Sequence, residues 1–293
     1  RENIGLSGFQ VGAVFATLPL LGFFVQPLWG IVADRSGLRV RVLIILSAGS
    51  CLGYLCLWYA HEFPMLLLAT AALAFFSRAL IPITLSVSLA ALEEDRTSFG
   101  LVRAFGTVGF LMAVVSIPSL VGQKTPGNAS FSAPLTGFET GLGLLFPVAA
   151  SLMFGATLIA LNMPKTGGTL ALRSVKGEWR TLFSVKPFLR MTTVGFLAFL
   201  FLHGPMDIFP IYIRSRGGGL EIVRNMWLFM LIPEIALMTL FGAGVRHLGP
   251  RGIVLIGIVA GGVRWILMSQ VTSLAMIYPL QILHALTVTG LFL

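Results

Sequence analysis

Nine apolar runs, each about 20 residues long or longer, divide the sequence into segments that can cross a lipid bilayer as helices. Lipid offers no hydrogen bonds to the backbone, so each run must satisfy its own amide groups as a helix. The runs are Gly8–Ala33, Val42–Ala60, Phe63–Leu92, Leu101–Val121, Gly141–Met163, Met191–Ile213, Ile222–Val245, Ile253–Val271 and Ser273–Leu293. The third is long enough to be tilted or kinked at Pro82. The pattern predicts an all-α polytopic membrane protein.

The composition excludes an ordinary soluble domain. Hydrophobic residues make up 56% of the chain and charged residues 11%, whereas a soluble domain carries about 25% charged residues. The net charge of +9 lies in loops between apolar runs, so it does not indicate a nucleic-acid partner. Cys51 and Cys56 share one apolar run, which favours reduced structural thiols over a disulfide. We predict no cofactor and no metal site.

Basic residues orient the chain, because Lys and Arg concentrate in cytoplasmic loops. One set of alternate loops holds most of them, including the basic segment 164–190. We therefore predict that 164–190 is a cytoplasmic linker, in which Glu178 and Trp179 indicate a short surface helix. The linker would join an N-terminal bundle of five spans, 1–163, to a C-terminal bundle of four spans, 191–293. The expected location is the inner or plasma membrane of the cell.

Four ionisable side chains fall well inside apolar runs: Arg78, Asp207, Glu234 and Arg264. Each costs about 2.5–3.5 kcal/mol at the centre of a bilayer, so the four together cost on the order of 10 kcal/mol if unpaired. They must face a polar interior, which favours a functional role. The alternative is structural, an acid and a base that pair and hold two helices together. His203, one turn before Asp207, offers that residue a local partner.

The last run carries polar residues at intervals of three, Gln281, His284 and Thr287. This spacing places them along one helix face. Histidine titrates near neutral pH and can carry a proton, although a single membrane histidine often serves only as a hydrogen-bonding group between helices. The sequence therefore indicates a polar stripe in the last span, with His284 as a candidate for proton transfer.

Arg103 lies at the start of the fourth run, and Phe110 follows two turns later on roughly the same face. A guanidinium fork beside an aromatic ring suits a hydroxylated, carboxylated or ring-shaped ligand. The alternative is that Arg103 extends to the lipid headgroups.

A charged stretch, Gly30–Arg41, separates the first two runs. Gly30 and Gly37 permit a tight turn, and Asp34 can pair with Arg35 or Arg39. A second stretch, Gly242–Arg251, repeats the spacing of glycine and arginine. Repeated loops between repeated helix pairs are typical of transporters built from two homologous halves.

The first stretch resembles the signature loop of the major facilitator superfamily. The segment Phe99–Phe110, with the sequence Phe-Gly-Leu-Val-Arg-Ala-Phe-Gly-Thr-Val-Gly-Phe, resembles a motif of the lactose permease and phenylpropionate permease branch. That branch contains proton-coupled symporters of small solutes. The resemblance implies twelve helices in the whole fold, with the chain covering the second to the tenth.

The resemblance also implies roles for individual residues. Arg103 matches the essential substrate-binding arginine, and Phe110 stands where the branch stacks an aromatic ring on its ligand. Glu234 matches an acid that binds substrate and couples binding to protonation. Arg264 and His284 match residues beside the proton site. Asp207 matches an acid that pairs with a lysine on the eleventh helix.

The chain departs from that branch in several places. Thr287 stands where the branch has its proton-carrying glutamate, which leaves Glu234 and His284 as candidates for proton coupling. Leu85 stands where an acid usually partners the substrate arginine, which favours an organic acid over a neutral sugar. Pro210 and Gln281 together replace a second charge pair.

We therefore expect a monomeric secondary transporter for a sugar, a nucleoside or an aromatic or organic acid, coupled to protons, with no enzymatic activity. Its substrate would contact Arg103, Phe110, Glu234, Gln281 and His284. Glu234, Arg264 and His284 would couple the proton. The stretch containing Gly30, Asp34, Arg35, Gly37 and Arg39 would act as a gate between the bundles. The alternatives are a proton-driven efflux antiporter and a membrane receptor or enzyme that does not transport.

Overall fold

A computed structural model describes residues 6–92, 98–120, 144–163 and 178–292. Those ranges contain helices and no β-strand. The helices are α1 Gly8–Ser36, α2 Arg39–Tyr59, α3 Phe63–Ser77, α4 Leu80–Leu92, α5 Phe99–Leu120, α6 Leu145–Leu161, α7 Glu178–Ser184, α8 Lys186–Ser215, α9 Leu220–Thr239, α10 Phe241–Gln270, α11 Leu274–Leu280 and α12 Ile282–Phe292. The all-α prediction is confirmed.

The helices have the length and surface that a bilayer requires. Within the described residues, seven candidate spans are long and apolar enough to cross it, and the helix Leu145–Leu161 is a shorter apolar one. Large apolar side chains point outward, as at Phe9, Phe15 and Phe23, which are 84%, 72% and 75% exposed. Such a surface is stable in lipid and unstable in water. The chain is an integral membrane protein.

The break in the third predicted span lies before the proline that was expected to cause it. α3 ends at Ser77 and α4 begins at Leu80, so the interruption is at Arg78 and Ala79. Pro82 is the third residue of α4, where its missing N–H is one of the groups left unpaired at any helix start. A proline removes the bond to the carbonyl four residues before it, here that of Arg78, so the break at Arg78 and Ala79 agrees with a kink caused by Pro82.

The first charged stretch is mostly helical rather than a loop. α1 continues through Gly30, Asp34 and Arg35 to Ser36, and the turn contains only Gly37 and Leu38. Gly37 has φ 65°, a left-handed conformation that residues with a Cβ rarely adopt. The sequence thus identified the turn but overestimated its length.

The second charged stretch is also largely helical. It lies inside α10, which is interrupted at Gly249 with φ 69° and ψ 163°. Pro250 follows at once and cannot donate the helical hydrogen bond. The glycine and proline together account for the break.

The basic linker is described only in part. Residues 164–177 lie outside the described residues. At Glu178 the short helix α7 begins, and the side chains of Leu182 and Phe183 on it are exposed. The structure thus has a short helix at the predicted place.

The helices group into two compact units. The first contains α1 to α4 and α6, and the second contains α5 and α7 to α12. α5 thus groups with helices that follow it in the chain. The bundles inferred from the sequence, 1–163 and 191–293, follow chain order and stay a prediction.

In the first unit, α2 packs closely against α3 through glycines. A Cβ at Gly49 would overlap the Phe76 ring, and one at Gly53 would lie 2.8 Å from the Leu73 Cα. Small residues let helices in lipid approach and gain van der Waals contact. The Trp29 indole N–H donates to the Phe75 carbonyl oxygen at 2.9 Å and joins α1 to α3.

In the second unit, α10 and α12 make a similar close contact. A Cβ at Gly257 would lie 2.9 Å from the Gly290 Cα. A Cβ at Gly100 on α5 would overlap the Met238 carbonyl oxygen on α9. These two contacts hold four helices close enough for their polar side chains to meet.

Candidate functional site

Polar side chains from four helices are buried together in the second unit. Arg264 on α10 and Gln281 between α11 and α12 are 0% exposed, Glu234 on α9 is 5%, and His284 on α12 is 6%. Thr107 on α5 is 8% exposed. Buried polar groups of this kind must satisfy one another, and their pairing defines the site.

The described side chains that hydrogen-bond to Arg264 are uncharged. Its Nη2 donates to Gln281 Oε1 at 2.6 Å, and its Nη1 lies 3.0 Å from His284 Nδ1. The guanidinium carbon is 4.6 Å from the centroid of the Trp265 ring, within cation–π range. Among described side chains, no carboxylate lies within 4.0 Å of this guanidinium. Its Nε has no hydrogen-bond partner among the described residues.

The contact with Arg264 fixes which nitrogen of His284 carries the proton. A guanidinium can only donate hydrogen bonds, so Nδ1 of His284 accepts and the ring proton is on Nε2. A second ring proton would place two positive charges side by side. At about 4 Å and an effective dielectric constant of 20, two unit charges repel by about 4 kcal/mol. The observed geometry is therefore that of neutral His284.

Glu234 connects the histidine to α5. Its Oε1 accepts from the Thr107 hydroxyl at 2.9 Å, and its Oε2 lies 3.8 Å from His284 Nε2. Arg103, one turn before Thr107, is close enough to interact electrostatically with the same carboxylate. The result is a continuous series of contacts from Thr107 through Glu234, His284 and Arg264 to Gln281.

A break between α11 and α12 explains why Gln281 reaches Arg264. In a regular helix the backbone N–H of Gln281 would donate to the Ile277 carbonyl. Here it donates to the Tyr278 carbonyl at 3.0 Å, one residue nearer. The released Ile277 oxygen accepts from Gln281 Nε2 at 3.0 Å. This bond orients the amide so that its oxygen faces Arg264.

Two aromatic rings lie beside the polar groups. The rings of Phe110 and Trp227 are 5.2 Å apart between centroids and nearly perpendicular, and Trp227 stands 6.4 Å from the His284 ring. Phe110 is 45% exposed. The polar series is thus bordered by aromatic surface that can contact the apolar part of a ligand.

A cavity of about 500 Å³ lies next to this site, between α8, α10 and α12. Thr287 and Trp265 contribute to its wall. The Thr287 hydroxyl donates to the Leu283 carbonyl at 3.0 Å, and Thr287 packs against Gly261 rather than joining the polar series. The Trp265 Nε1 is buried, and no described residue bonds to it.

The structure brings together most residues that the sequence singled out in the second half. Glu234, Arg264, Gln281 and His284 meet directly. Arg103 approaches the same cluster through Glu234. The side chain of Asp207 lies outside the described residues, although its backbone belongs to α8.

Two candidate groups lie in the first unit instead. Arg78 donates from Nε to the Leu18 carbonyl at 3.1 Å and stands at the break between α3 and α4. At the end of α1, Asp34 pairs with Arg39 at 3.1 Å on an exposed surface. Arg35 lies in the last turn of the same helix.

Thr107 and Trp227 were not identified from the sequence. Thr107 lies four residues after Arg103 and three before Phe110, so helical spacing places all three on one face. That spacing is a signal that could have found it. Trp227 had no comparable signal, because aromatic residues are common in membrane helices.

The part of the chain described by the structure contains no group of three or more His, Cys, Asp or Glu side chains that could hold a metal ion. The chemistry available to the candidate site is therefore that of its carboxylate, imidazole, guanidinium, amide and hydroxyl groups.

Comparison with known proteins supplies the context for this site. The model of the MFS_1 like family matches residues 2–293. The uncharacterized transporter YwbF of Bacillus subtilis is 26% identical over 98% of this chain and 68% of its own length. The maltose permease of Geobacillus stearothermophilus is 24% identical over 98% of the chain and 69% of its own length.

A probable 3-phenylpropionic acid transporter of Escherichia coli is also 24% identical, over 98% of this chain and 72% of its own length. Among solved structures, the nucleoside transporter NupG in its D323A form matches with a TM-score of 0.69 at 18% identity. That match covers 98% of this chain and 73% of the NupG chain. At such low identity it shows a shared fold.

Proposed function

This chain belongs to the MFS_1 like family, and we propose that it moves a small solute across the cell membrane by alternating access, in symport with protons. The relatives with stated functions are transporters, and the chain is accordingly a transporter and not an enzyme. The observation that carries the coupling proposal is the buried series from Thr107 to Gln281.

This series supports proton coupling because it places titratable side chains inside membrane spans, where ionised groups are energetically unfavourable. Ionisable side chains in membrane spans are rare, and they mark ion pathways and proton relays in transporters. Here a carboxylate, an imidazole and a guanidinium lie in sequence with separations of 3.8 and 3.0 Å. A proton bound to one of them changes the charge that the others face, which links protonation to conformation.

The substrate proposal combines a cation with aromatic surface. Arg103 supplies a fork for paired oxygen atoms, and Phe110, two turns further along α5, supplies a partly exposed ring next to Trp227. Gln281 and His284 contribute further polar groups. This combination suits a sugar, a nucleoside or an aromatic or organic acid, and named relatives carry maltose or 3-phenylpropionic acid.

The charged turn between α1 and α2 is proposed as a gate. Asp34 and Arg39 form its ion pair at 3.1 Å, and Gly37 with φ 65° allows the chain to reverse there. Arg35 and Gly30 lie on the last turns of α1. Formation and loss of the ion pair would favour different states of the transport cycle. We propose that the protein acts as a monomer.

The experiment is to add maltose, uridine or 3-phenylpropionate to lightly buffered cells that express the protein, and to record the external pH. Alkalinisation with one compound class supports proton symport and names the class. Labelled uptake without a change in pH contradicts the coupling. Outward movement of a preloaded compound together with external alkalinisation would indicate a proton-driven efflux antiporter instead, because protons enter as the compound leaves.

A further inference from the structure

We propose that Arg224, near the outer end of α9, forms an oxyanion subsite that receives the carboxylate of an incoming solute before the solute reaches the buried polar series. The inference rests on the proposed transport function. It adds a binding position outside the polar series and the chemical class of the ligand that this position takes.

One side of α9 faces α5. The ring of Trp227 packs on that of Phe110 at 5.2 Å between centroids. Further along α9, Glu234 Oε1 and Met238 Sδ lie 2.9 and 3.5 Å from the Thr107 hydroxyl. The side chains that contact α5 therefore follow one stripe of α9.

Arg224 lies on the same stripe. It stands three residues before Trp227, seven before Leu231 and ten before Glu234, a spacing that keeps side chains along one face of a helix. At a rise of 1.5 Å per residue, Arg224 is about 15 Å from Glu234 along the helix axis. The predicted span Met191–Ile213 follows the proposed cytoplasmic linker and crosses the membrane once, so the end of α9 that carries Arg224 is the outer end.

The guanidinium of Arg224 is oriented by the next residue. Its Nε and Nη2 both donate to Asn225 Oδ1, at 3.2 and 3.1 Å. This contact uses one edge of the planar group, and the edge formed by Nη1 and Nη2 keeps two parallel N–H groups without a bond to a described residue. Two parallel N–H groups match the two oxygen atoms of a carboxylate.

The positive charge of Arg224 has no acidic partner among the described residues. Glu221 lies one turn earlier on α9, at a spacing that permits an ion pair, yet no described carboxylate is within 4.0 Å of the guanidinium. Arg224 and Asn225 are half-buried, whereas Glu221 is exposed. An arginine that only reached the lipid headgroups would extend outward, but this one is turned aside toward an amide.

The stripe gives an incoming solute a sequence of contacts. Arg224 meets the carboxylate first. Trp227 and Phe110 come next and offer aromatic surface to an apolar body, and the Trp227 ring stands 6.4 Å from that of His284 in the polar series. A fixed charge at the rim of a site raises the rate at which oppositely charged ligands are captured. Arg224 should therefore increase the capture of carboxylates.

The test uses the purified protein in proteoliposomes and measures exchange of external labelled 3-phenylpropionate for internal unlabelled 3-phenylpropionate. This exchange needs no net proton movement, so it does not depend on the proposed symport. Initial rates over a range of concentrations give Vmax and Vmax/KM, at low and at high ionic strength, in phosphatidylcholine with and without phosphatidylglycerol. The variants are Arg224→Gln and Arg224→Lys. The control is Arg216→Gln, because Arg216 is exposed at the same end of the unit and its Nη1 donates to the carbonyls of Val271 and Thr272.

We expect Arg224→Gln to lower Vmax/KM about tenfold at low ionic strength while Vmax stays within about twofold of the wild type. Arg224→Lys keeps the charge without the fork, so Vmax/KM should fall about threefold. The difference between Arg224→Gln and the wild type should shrink at high ionic strength. Arg216→Gln should retain the Vmax/KM of the wild type.

Unchanged Vmax/KM in Arg224→Gln overturns the subsite, as does an equal loss in Arg216→Gln, which would indicate a general effect of charge. A loss that appears only with phosphatidylglycerol identifies a lipid phosphate as the ligand and also overturns it. If Arg224→Gln does not fold, Arg224→Lys decides, and a Vmax/KM equal to the wild type contradicts the proposal. A wild type that exchanges maltose or uridine but no carboxylate refutes the subsite and leaves the transport function intact. A wild type that exchanges none of these compounds refutes both.

Discussion

The two units of this protein bury their polar side chains in different ways. Among the described residues of the first unit, the buried polar side chains carry hydroxyl groups that lie 2.7–2.9 Å from a carbonyl of their own helix, as in Ser47, Ser50, Thr70 and Thr157. One of these hydroxyls, that of Thr157, also lies 3.0 Å from a hydroxyl on another helix. In the second unit the buried groups include a carboxylate, an imidazole, a guanidinium and an amide, and these four contact one another across helices.

This difference distinguishes polar groups that stabilise the fold from polar groups that can take part in transport. A hydroxyl satisfied by its own helix adds little that depends on neighbouring helices. A side chain satisfied only by a residue on another helix depends on how those helices are placed. The second unit therefore holds the groups whose interactions must change when helices move, and substitutions there should affect transport more than the same substitutions in the first unit.

The largest expected difference in uptake is between variants of Arg264, which is buried in the second unit, and variants of Arg78, which is half-buried in the first. Arg264→Met removes the donor to both His284 Nδ1 and Gln281 Oε1, and each unpaired buried acceptor costs about 1–3 kcal/mol. We expect uptake to fall by about 100-fold or more, since each 1.4 kcal/mol corresponds to tenfold. Arg78→Met removes a bond to the Leu18 carbonyl in the first unit and should lower uptake less than tenfold. Uptake per molecule of protein in the membrane measures both, and equal losses would contradict the contrast.

Arg103→Lys tests the cation at the edge of the polar series. Lysine keeps the charge but loses the planar fork that can hold two oxygen atoms at once. Substrate binding should weaken by about 30-fold, which corresponds to about 2 kcal/mol. Binding can be measured by isothermal titration calorimetry with the substrate found in uptake assays. Affinity equal to the wild type would exclude Arg103 from the substrate site.

The same chemical change can be made once in each unit. Thr107→Val removes the bond to Glu234 Oε1, and a hydrogen bond to a charged group is worth about 1.5–3 kcal/mol. We expect proton-driven uptake to fall about tenfold.

Thr157→Val is the matched variant, since Thr157 also lies 3.0 Å from the hydroxyl of Ser47. Removal of the Thr157 hydroxyl should lower the melting temperature by about 2–4 °C and leave substrate affinity unchanged. Thermal unfolding and uptake should be measured for both variants. A larger transport defect in Thr157→Val would reverse the assignment of the two units.

The smallest effect is expected at the charged turn. An exposed ion pair such as Asp34 with Arg39 contributes about 0.2–1 kcal/mol, so Asp34→Asn should change the transport rate by roughly two- to fivefold. Because the pair is not proposed to contact the substrate, the rate should change more than the affinity. Initial rates over a range of substrate concentrations separate the two. A transport rate of Asp34→Asn equal to that of the wild type would contradict the proposed gating role of the charged turn.

The sequence allowed the spans and the buried ionisable residues to be predicted, because apolar length and isolated charge are local properties. It did not allow their pairing to be predicted. Thr107 and Glu234 are 127 residues apart, and only the packing of α5 on α9 joins them. Gln281, His284 and Thr287 share a spacing of three, yet Thr287 turns to its own backbone while the other two reach Arg264.

The breaks within spans differ in how far the sequence indicates them. Pro82 indicated the break at Arg78 and Ala79, because a proline removes the bond to the carbonyl four residues before it. The sequence around Gln281 does not indicate a break. Whether its backbone N–H donates to the Tyr278 carbonyl or to the Ile277 carbonyl depends on the tertiary structure. The break there became visible only through the two bonds that Gln281 makes.

The Ile277 carbonyl oxygen can accept a hydrogen bond from either of two groups of Gln281, its backbone N–H or its side-chain amide. If α11 and α12 straightened into one regular helix, the Ile277 oxygen would accept the backbone N–H of Gln281 again. The side-chain amide would lose the bond that now orients it, and its oxygen would no longer be held against Arg264. The break in the helix and the contact with the guanidinium are thus linked through one residue: a backbone that became regular at Gln281 would also change the hydrogen bond that Arg264 makes.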